Sequence, residues 1–412
     1  MKEKTITRFR MSLREVGLNL LLVGVLTAVA AQHAEAVPPQ DGGNGCIVKD
    51  GRIVVAIGSG CDSIQEAMDN APGTAAAPTV IDVRPGTYVI DPLNPIVMKS
   101  YVHLRGAGRE VTFLVSNDIV MEADVVDNWA VSGFTFDGPT GSGYGILGSE
   151  IRNVTVSDNT FTGLNHGLFL YTVNNLTISG NRFAISGQTG GATSYGVSID
   201  GGEPITIIGN QFETPKVTID NTIGIYVSYS KDTTIETNTI TGHDIGMELF
   251  GAGSQSGAFT VTGNTVQGSA TYGIFAGLRV AAMIEGNKIV DGQTGIWLDS
   301  TLATVTGNTI TGNGKDGIES RARDGAGSPE IQANTITGNA EYGIRVQFNS
   351  DPSIIHNKIT GNGGGTFADV FVYDSTLTTP HISWNVYDTL AGGTNGFGQF
   401  NLKSDGTPAP AP

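Results

Sequence analysis

The sequence predicts an all-β chain built as a parallel β-solenoid, and three observations carry that prediction. A short phrase, apolar-x-x-Asn-x-[Ile/Phe/Val], recurs about every 25 residues. A second phrase, Gly-apolar-x-apolar, follows each copy after a turn. After residue 75 no stretch sustains the i, i+3, i+4 apolar spacing of a helix. Repetition in this period range marks a repeat architecture.

The asparagine phrase occurs at Asn159, Asn181, Asn210, Asn238, Asn264, Asn287, Asn308, Asn334, Asn357 and Asn385. The intervals vary from 21 to 29 residues around a constant core, as expected of loops of unequal length on a constant scaffold. Aligned at one turn of a solenoid, the side-chain amides can stack and bond one another, as in amide ladders of stacked parallel strands. Such a buried ladder also satisfies backbone groups at the bend. Phe134 stands where the ladder residue would be in the preceding copy, so the ladder is expected to begin after it.

The glycine phrase begins at Gly145, Gly167, Gly196, Gly224, Gly246, Gly273, Gly295, Gly317 and Gly343. Its period-2 alternation is that of a half-buried strand. Each repeat therefore predicts two strands separated by Thr-Gly, Gly-Asn and Asn-Gly turns. Parallel strands stack about 4.8 Å apart, so ten coils span on the order of 45–50 Å.

Upstream, Asp62 with Gln65 reads as a helix N-cap and capping box. Ile64, Ala67, Met68 and Ala71 form one apolar helical face. A short capping helix here would cover the first coil, whose open strands otherwise invite edge pairing. The segment Val80-Ile81-Asp82-Val83-Arg84-Pro85-Gly86-Thr87-Tyr88 reads as a strand, a Pro-Gly turn and a second strand. Together with the repeats over residues 76–400, this opening resembles the right-handed parallel β-helix proteins of the pectate-lyase-like superfamily. The resemblance implies a single right-handed parallel β-helix, a fold class in which right-handed crossover is also the general rule.

The expected organisation is a leader over 1–36, an N-terminal segment with the capping helix over 37–75, the β-helix over 76–402 and a disordered Pro/Ala tail over 403–412. The leader reads as a secretory signal: Lys2, Lys4, Arg8, Arg10 and Arg14 precede an apolar stretch from Leu18 to Ala31 and a small-x-small site at Ala34-Glu35-Ala36. That stretch is short for spanning a membrane, and no later segment is a candidate. The expected location is secreted or periplasmic. The formal net charge is −16, and removal of a leader of net charge +2 takes it to −18. Such an acidic chain lacks the basic footprint that nucleic acid requires. Cys46 and Cys61 are the only cysteines. In an exported chain they are expected to form one disulfide, which over a loop of this length stabilises by roughly 3 kcal/mol.

Side chains alternate across a strand, so even offsets from each strand glycine should face outward. That rule lines up Phe169, Tyr226, Glu248, Phe275 and Trp297 as a substrate-binding face, aromatic rings being surfaces on which sugars lie. The same rings would also suit plain cross-strand packing. Arg279, Arg321, Arg323 and Arg345 make a local basic patch beside Asp299, Glu319 and Asp324. Arginine forks suit carboxylate or sulfate, which points to an acidic polysaccharide; surface ion pairs between coils are the plainer alternative.

Asp299 and Glu319 lie one coil and two residues apart, about 8 Å between Cα atoms, within reach of the carboxyl separation of inverting glycosidases. Elimination or epimerisation of a uronic acid would instead use Arg321 or Arg345 to neutralise a carboxylate and Glu319 or Asp299 as base. The superfamily's own motifs give no residue to carry over. The polygalacturonase, calcium-dependent lyase, pectin methylesterase and alginate epimerase signatures are missing, and Gly242-His243-Asp244 is a partial echo only.

His103, His166, His243, His356 and His381 are scattered singly, which favours turn or surface roles and gives no support to the copper-related reading known for some periplasmic β-helix proteins. Turn Asp and Asn could hold Ca²⁺, but no liganding spacing appears. The expectation is a monomer that engages a polysaccharide and acts on it as lyase, hydrolase or epimerase, or else a binding or structural solenoid without catalysis.

Overall fold

The computed structural model describes residues 45–185, 187, 192–214, 221–251, 258–322, 327–373, 380–392 and 401–409. The expected leader, and with it Arg323 and Asp324 of the basic patch, lie outside the described residues.

The chain is a solenoid of parallel strands, with three strands in each regular coil rather than the two expected. One coil runs Thr294–Asp299, then Thr304–Thr306, then Thr309–Thr311. Each pairs in parallel with its counterparts in the coils on either side. Three sheets result. Sheet one holds the glycine-phrase strands, sheet two the strands that arrive at the ladder asparagine, and sheet three the short strands that leave it. The extra strand arises because the asparagine phrase straddles a sharp bend instead of lying within one strand. The residue before each ladder asparagine is left-handed, from Asp158 (φ 55°) and Gly180 (φ 63°) to His356 (φ 56°) and Trp384 (φ 59°). Glycine often fills that position because it alone adopts this conformation without strain.

The ladder is continuous and buried. Each amide nitrogen donates to the next asparagine's Oδ1, as in Asn264 Nδ2 to Asn287 Oδ1 and Asn287 Nδ2 to Asn308 Oδ1, both 3.0 Å. It also donates to a carbonyl across the bend, Asn287 to Val261 at 2.8 Å. The backbone N–H of each asparagine donates to the same Oδ1 above it, as in Asn287 to Asn308 at 2.8 Å. At the start, the Phe134 N–H donates to Asn159 Oδ1 at 3.0 Å, so Phe134 does replace the amide. At the other end the ladder runs one step past Asn385, which donates to Asn401 Oδ1.

A second ladder, not foreseen, joins sheet three to sheet one. Asn313 Nδ2 donates to Asn339 Oδ1 at 2.9 Å, Asn339 to Asn362 at 2.8 Å, and Asn362 to Asp369 at 3.0 Å.

Inside the coils, Phe136, Phe161, Phe183 and Phe212 stack with centroids 4.7–4.8 Å apart. Toward the C-terminus the same column becomes aliphatic, through Ile240, Ile289, Ile310 and Ile336. The strand glycines exist because the coils touch there: a Cβ on Gly273 would lie 2.5 Å from the Gly295 carbonyl oxygen.

The helix spans Ile64–Asn70 and buries Ile64, Ala67 and Met68, with Ala71 buried just beyond it. Its N-cap is Ser63, not Asp62; the Ser63 hydroxyl accepts from the Glu66 N–H at 3.2 Å. Gln65, freed from capping, donates to Asp69 and accepts from the Val97 N–H, tying the helix to sheet one. Cys46 and Cys61 form the expected disulfide. Part of the tail expected to be disordered is ordered. Leu402 bridges to Val386 and Pro408, and Lys403 N–H donates to Thr407 at 2.7 Å. Among the described residues no helix is long and apolar enough to cross a membrane.

Candidate functional site

The outward face of sheet one carries most of the sequence-derived residues in strict register. One column reads Phe169, Ser198, Tyr226, Glu248, Phe275, Trp297, Glu319, Arg345 and Phe371. The next reads Tyr171, Asp200, Ser228, Phe250, Gly277, Asp299, Arg321 and Gln347. Inward neighbours such as Val197, Ile225, Met247, Ile274 and Ile296 are fully buried.

A third outward column was missed because it lies one residue before the glycine, outside the even-offset rule. It includes Tyr144, His166, Tyr195, Tyr272, Asp316 and Tyr342. The recurrent Tyr-Gly pair at 144, 195, 272 and 342 is the signal that marks it.

These columns merge into one aromatic stripe. Tyr144, His166 and Tyr195 stack at 4.6 and 5.5 Å between centroids. The contacts continue from Tyr195 to Tyr226, Phe250, Phe275 and Trp297 at 5.2–5.9 Å. Tyr272 meets Trp297 edge-on at 3.9 Å. Most of these rings are half-buried by one another, leaving partial faces to solvent.

Carboxyl groups are set into this stripe. Glu248 lies between Tyr226 and Phe275, and burial pushes its pKa up to about 7. Burial, and then the nearby Glu248 carboxylate, raise the Tyr195 and Tyr226 phenols. Asp200 accepts from Ser228 Oγ at 2.8 Å. Asp316 is almost fully buried, and burial pushes it up to about 6 against the opposing pull of the Tyr342 N–H and Arg345.

The basic patch divides. Arg321 Nε donates to Asp299 at 3.0 Å while its guanidinium covers the Trp297 ring at 3.7 Å. Arg345 pairs with Asp316 at 3.6 Å, lies 5.5 Å from the Tyr342 ring and donates to the Gln347 amide oxygen. Arg279 is not on the strand face: it sits at φ 61° in the turn after Tyr272–Gly277, its N–H bonded to the Ser300 carbonyl. Glu319 stands in register between Trp297 and Arg345. Asp299 and Glu319 are thus on adjacent coils and two residues out of register.

A family profile described as "Right handed beta helix region" matches residues 251–393. A second, described as "Periplasmic copper-binding protein (NosD)", matches residues 86–257. The chain is a right-handed parallel β-helix repeat protein.

No curated protein matches this β-helix. Among solved structures it is similar to the catalytic unit of a GH87 α-1,3-glucanase from Streptomyces thermodiastaticus, at 17% identity and a TM-score of 0.61, covering 92% of this chain and 73% of that one. It also aligns with the A-module of a mannuronan C-5 epimerase of Azotobacter vinelandii at 18% identity and a TM-score of 0.48, over 85% and 94% of the two chains. A surface adhesin of Streptococcus pneumoniae aligns at 13% identity and a TM-score of 0.49, over 76% and 89%.

Among the described residues no three His, Cys, Asp or Glu side chains gather to hold an ion, and both cysteines are in the disulfide. Two histidines that the sequence assigned to turn or surface roles are buried. His166 is sandwiched in the aromatic stripe, with burial lowering its pKa to about 4. His243 follows a turn glycine but is fully enclosed, and burial lowers it to about 3.

Proposed function

We propose that this β-helix engages a polysaccharide along the outer face of sheet one. The observation that carries the reading is the unbroken run of ring contacts from Tyr144 to Trp297, interleaved with Asp200 and Glu248. Partly exposed rings offer apolar faces to the C–H faces of sugars, while carboxyl oxygens accept from their hydroxyls. The glucanase of higher TM-score acts on a polysaccharide, which supports the reading without carrying it. The disulfide and the leader pattern support an exported site of action, since such bonds persist in oxidising compartments.

The test is affinity electrophoresis of the chain against a panel of soluble glycans. Substituting Trp297→Ala or Tyr226→Ala should weaken binding to the preferred polymer by roughly tenfold each. Unchanged retardation in both variants would sink the reading.

A second reading, cleavage of the bound glycan, is favoured by Glu248. A carboxyl that holds its proton near neutral pH is the form a general acid requires. Of the groups first expected to carry catalysis, Asp299 and Arg321 engage each other, and Arg345 is held by Asp316. With Glu319 they stand as a flanking set proposed to position substrate. New reducing ends or unsaturated products, abolished in Glu248→Gln while binding persists, would establish cleavage. Their absence with every bound glycan would leave binding as the function.

A further inference from the structure

We infer that the polymer recognised by this face is a neutral glycan, read through its hydroxyls, and not the acidic polysaccharide that the arginines first suggested. The inference rests on the polysaccharide reading above and narrows it to a substrate class.

The charge on the face is divided along the solenoid. From Ile119–Asp124 to Tyr272–Gly277, sheet one contributes seven successive strands that contain no lysine or arginine. Their outward positions carry Glu122, Asp124, Asp200 and Glu248. The one imidazole, His166, is enclosed between Tyr144 and Tyr195 and kept neutral by burial. This is the half of the face where the aromatic stripe is longest. A uronate or sulfated chain laid along it would bring its anions against fixed carboxyls, and the described residues of these strands offer no counter-charge.

Arg321 and Arg345 lie further on, and each is already compensated. Arg321 is mostly buried, with Asp299 on its Nε and Trp297 beneath its plane. Arg345 is held by buried Asp316 and by Gln347. Among the described residues on this part of the strand face, Asp299, Asp316 and Glu319 accompany Arg321 and Arg345. A guanidinium already paired with a carboxylate has its charge largely offset, which weakens its pull on a second one.

The same groups suit hydroxyls. Asp200 is oriented by Ser228, and it flanks Tyr226 from one side as Glu248 does from the other. Sugar hydroxyls donate to carboxylates without bringing like charge. A protonated Glu248 adds a donor for ring or bridging oxygens.

The experiment uses the full chain and purified polymers of matched length. The neutral set is α- and β-glucans, a mannan and an unsubstituted xylan; the acidic set is polygalacturonate, alginate and a sulfated galactan. Each is measured at low and at physiological ionic strength. The expected result is retention of at least one neutral polymer with little salt dependence. Every acidic polymer should bind at least roughly tenfold more weakly at low salt, with the gap narrowing as salt screens the repulsion. The variant Asp200→Asn should narrow that gap at low salt. Preferential or equal binding of an acidic polymer, strengthened at low salt and lost in Arg345→Ala, would overturn the inference while leaving the polysaccharide reading intact. Failure of every polymer in both sets would overturn the polysaccharide reading itself, and this inference with it.

Discussion

The guanidinium carbon of Arg321 sits 3.7 Å from the centre of the Trp297 ring, one coil away, while its Nε holds Asp299 at 3.0 Å. The contact is both lid and clasp: it covers the largest ring of the stripe and fixes a carboxylate beside it. Arg321→Ala should therefore uncover Trp297 and leave Asp299 without its counter-charge. The expected cost is about 1–3 kcal/mol in urea melts, from a partly buried carboxylate that keeps only the Ser300 hydroxyl as a donor. Indole fluorescence should shift to the red as water reaches the ring. Arg321→Lys should restore only part of the stability, because an ammonium cannot lie flat over the indole while bonding sideways. Full recovery by lysine would show that charge alone matters there.

The asparagine ladder makes a prediction of the opposite kind, about stability without function. Asn287 has its Nδ2 bonded to Val261 and Asn308 and its Oδ1 bonded to Asn264. Asn287→Ala strands several buried groups at once and should destabilise by roughly 1–3 kcal/mol. Glycan retention should remain unchanged, since the ladder lies inside the bend and the stripe outside sheet one. A variant as stable as the parent would contradict a ladder that holds coils together.

The contrast explains what could be read in the chain before its fold was known. The ladder asparagines were legible because a stacked, buried amide needs its own kind above and below, so identity repeats with the coil. Phe169, Tyr226, Phe275 and Trp297 were legible because strand alternation is strict after the glycine. Tyr195 and Tyr272 were not, because they lie in the strand one residue before its glycine, where the glycine and the residue after it are both buried and period-2 counting breaks. The role of Arg321 was hidden for another reason. Its partners Asp299 and Trp297 are more than 20 residues away, and only coil-to-coil register brings the guanidinium onto a carboxylate and a ring. The same register buries Asp316 and Glu248 and raises their pKa values, which no local spacing announces.

The phenylalanine stack tests how the core changes character along the axis. Phe183 lies between Phe161 and Phe212, parallel to both within 5–7°. Phe183→Ala should cost about 3–5 kcal/mol, through lost transfer energy and the cavity left in a rigid stack. Ile240, in the corresponding place two coils on, ends the ring stack, with Phe212 on one side and Val266 on the other. Ile240→Ala should cost about 2–5 kcal/mol, and Ile240→Val about 0.5–1.5 kcal/mol. A Phe183→Leu variant that matched the parent in urea would show that volume alone, without ring stacking, fills this part of the core.

His243 gives the molecule an acid-sensitive point. It occupies the position after the turn glycine that Asn313, Asn339 and Asn362 occupy in later coils, where they form the second ladder. In its place the imidazole shares a hydrogen bond of 2.9 Å with Thr214 Oγ1, and its Nε2 is buried without a partner. Burial lowers its pKa from 6.5 to about 3. Between those values the unfolded chain binds a proton that the folded chain does not. Stability contributed by the neutral ring is therefore full above the unfolded value and is lost as pH falls below it, by about 1.4 kcal/mol per pH unit until the folded value is reached. His243→Asn replaces the titrating ring with the amide that later coils use. It should remove this component of the acid limb: the difference in unfolding free energy between parent and variant should change by about 1.4 kcal/mol per unit below the unfolded pKa and stay constant above it. Urea melts of both proteins from neutral to mildly acidic pH measure that difference directly. Parallel curves across the range would mean that the ring accepts its proton in the folded coil, and that the enclosure around Nε2 opens to admit it.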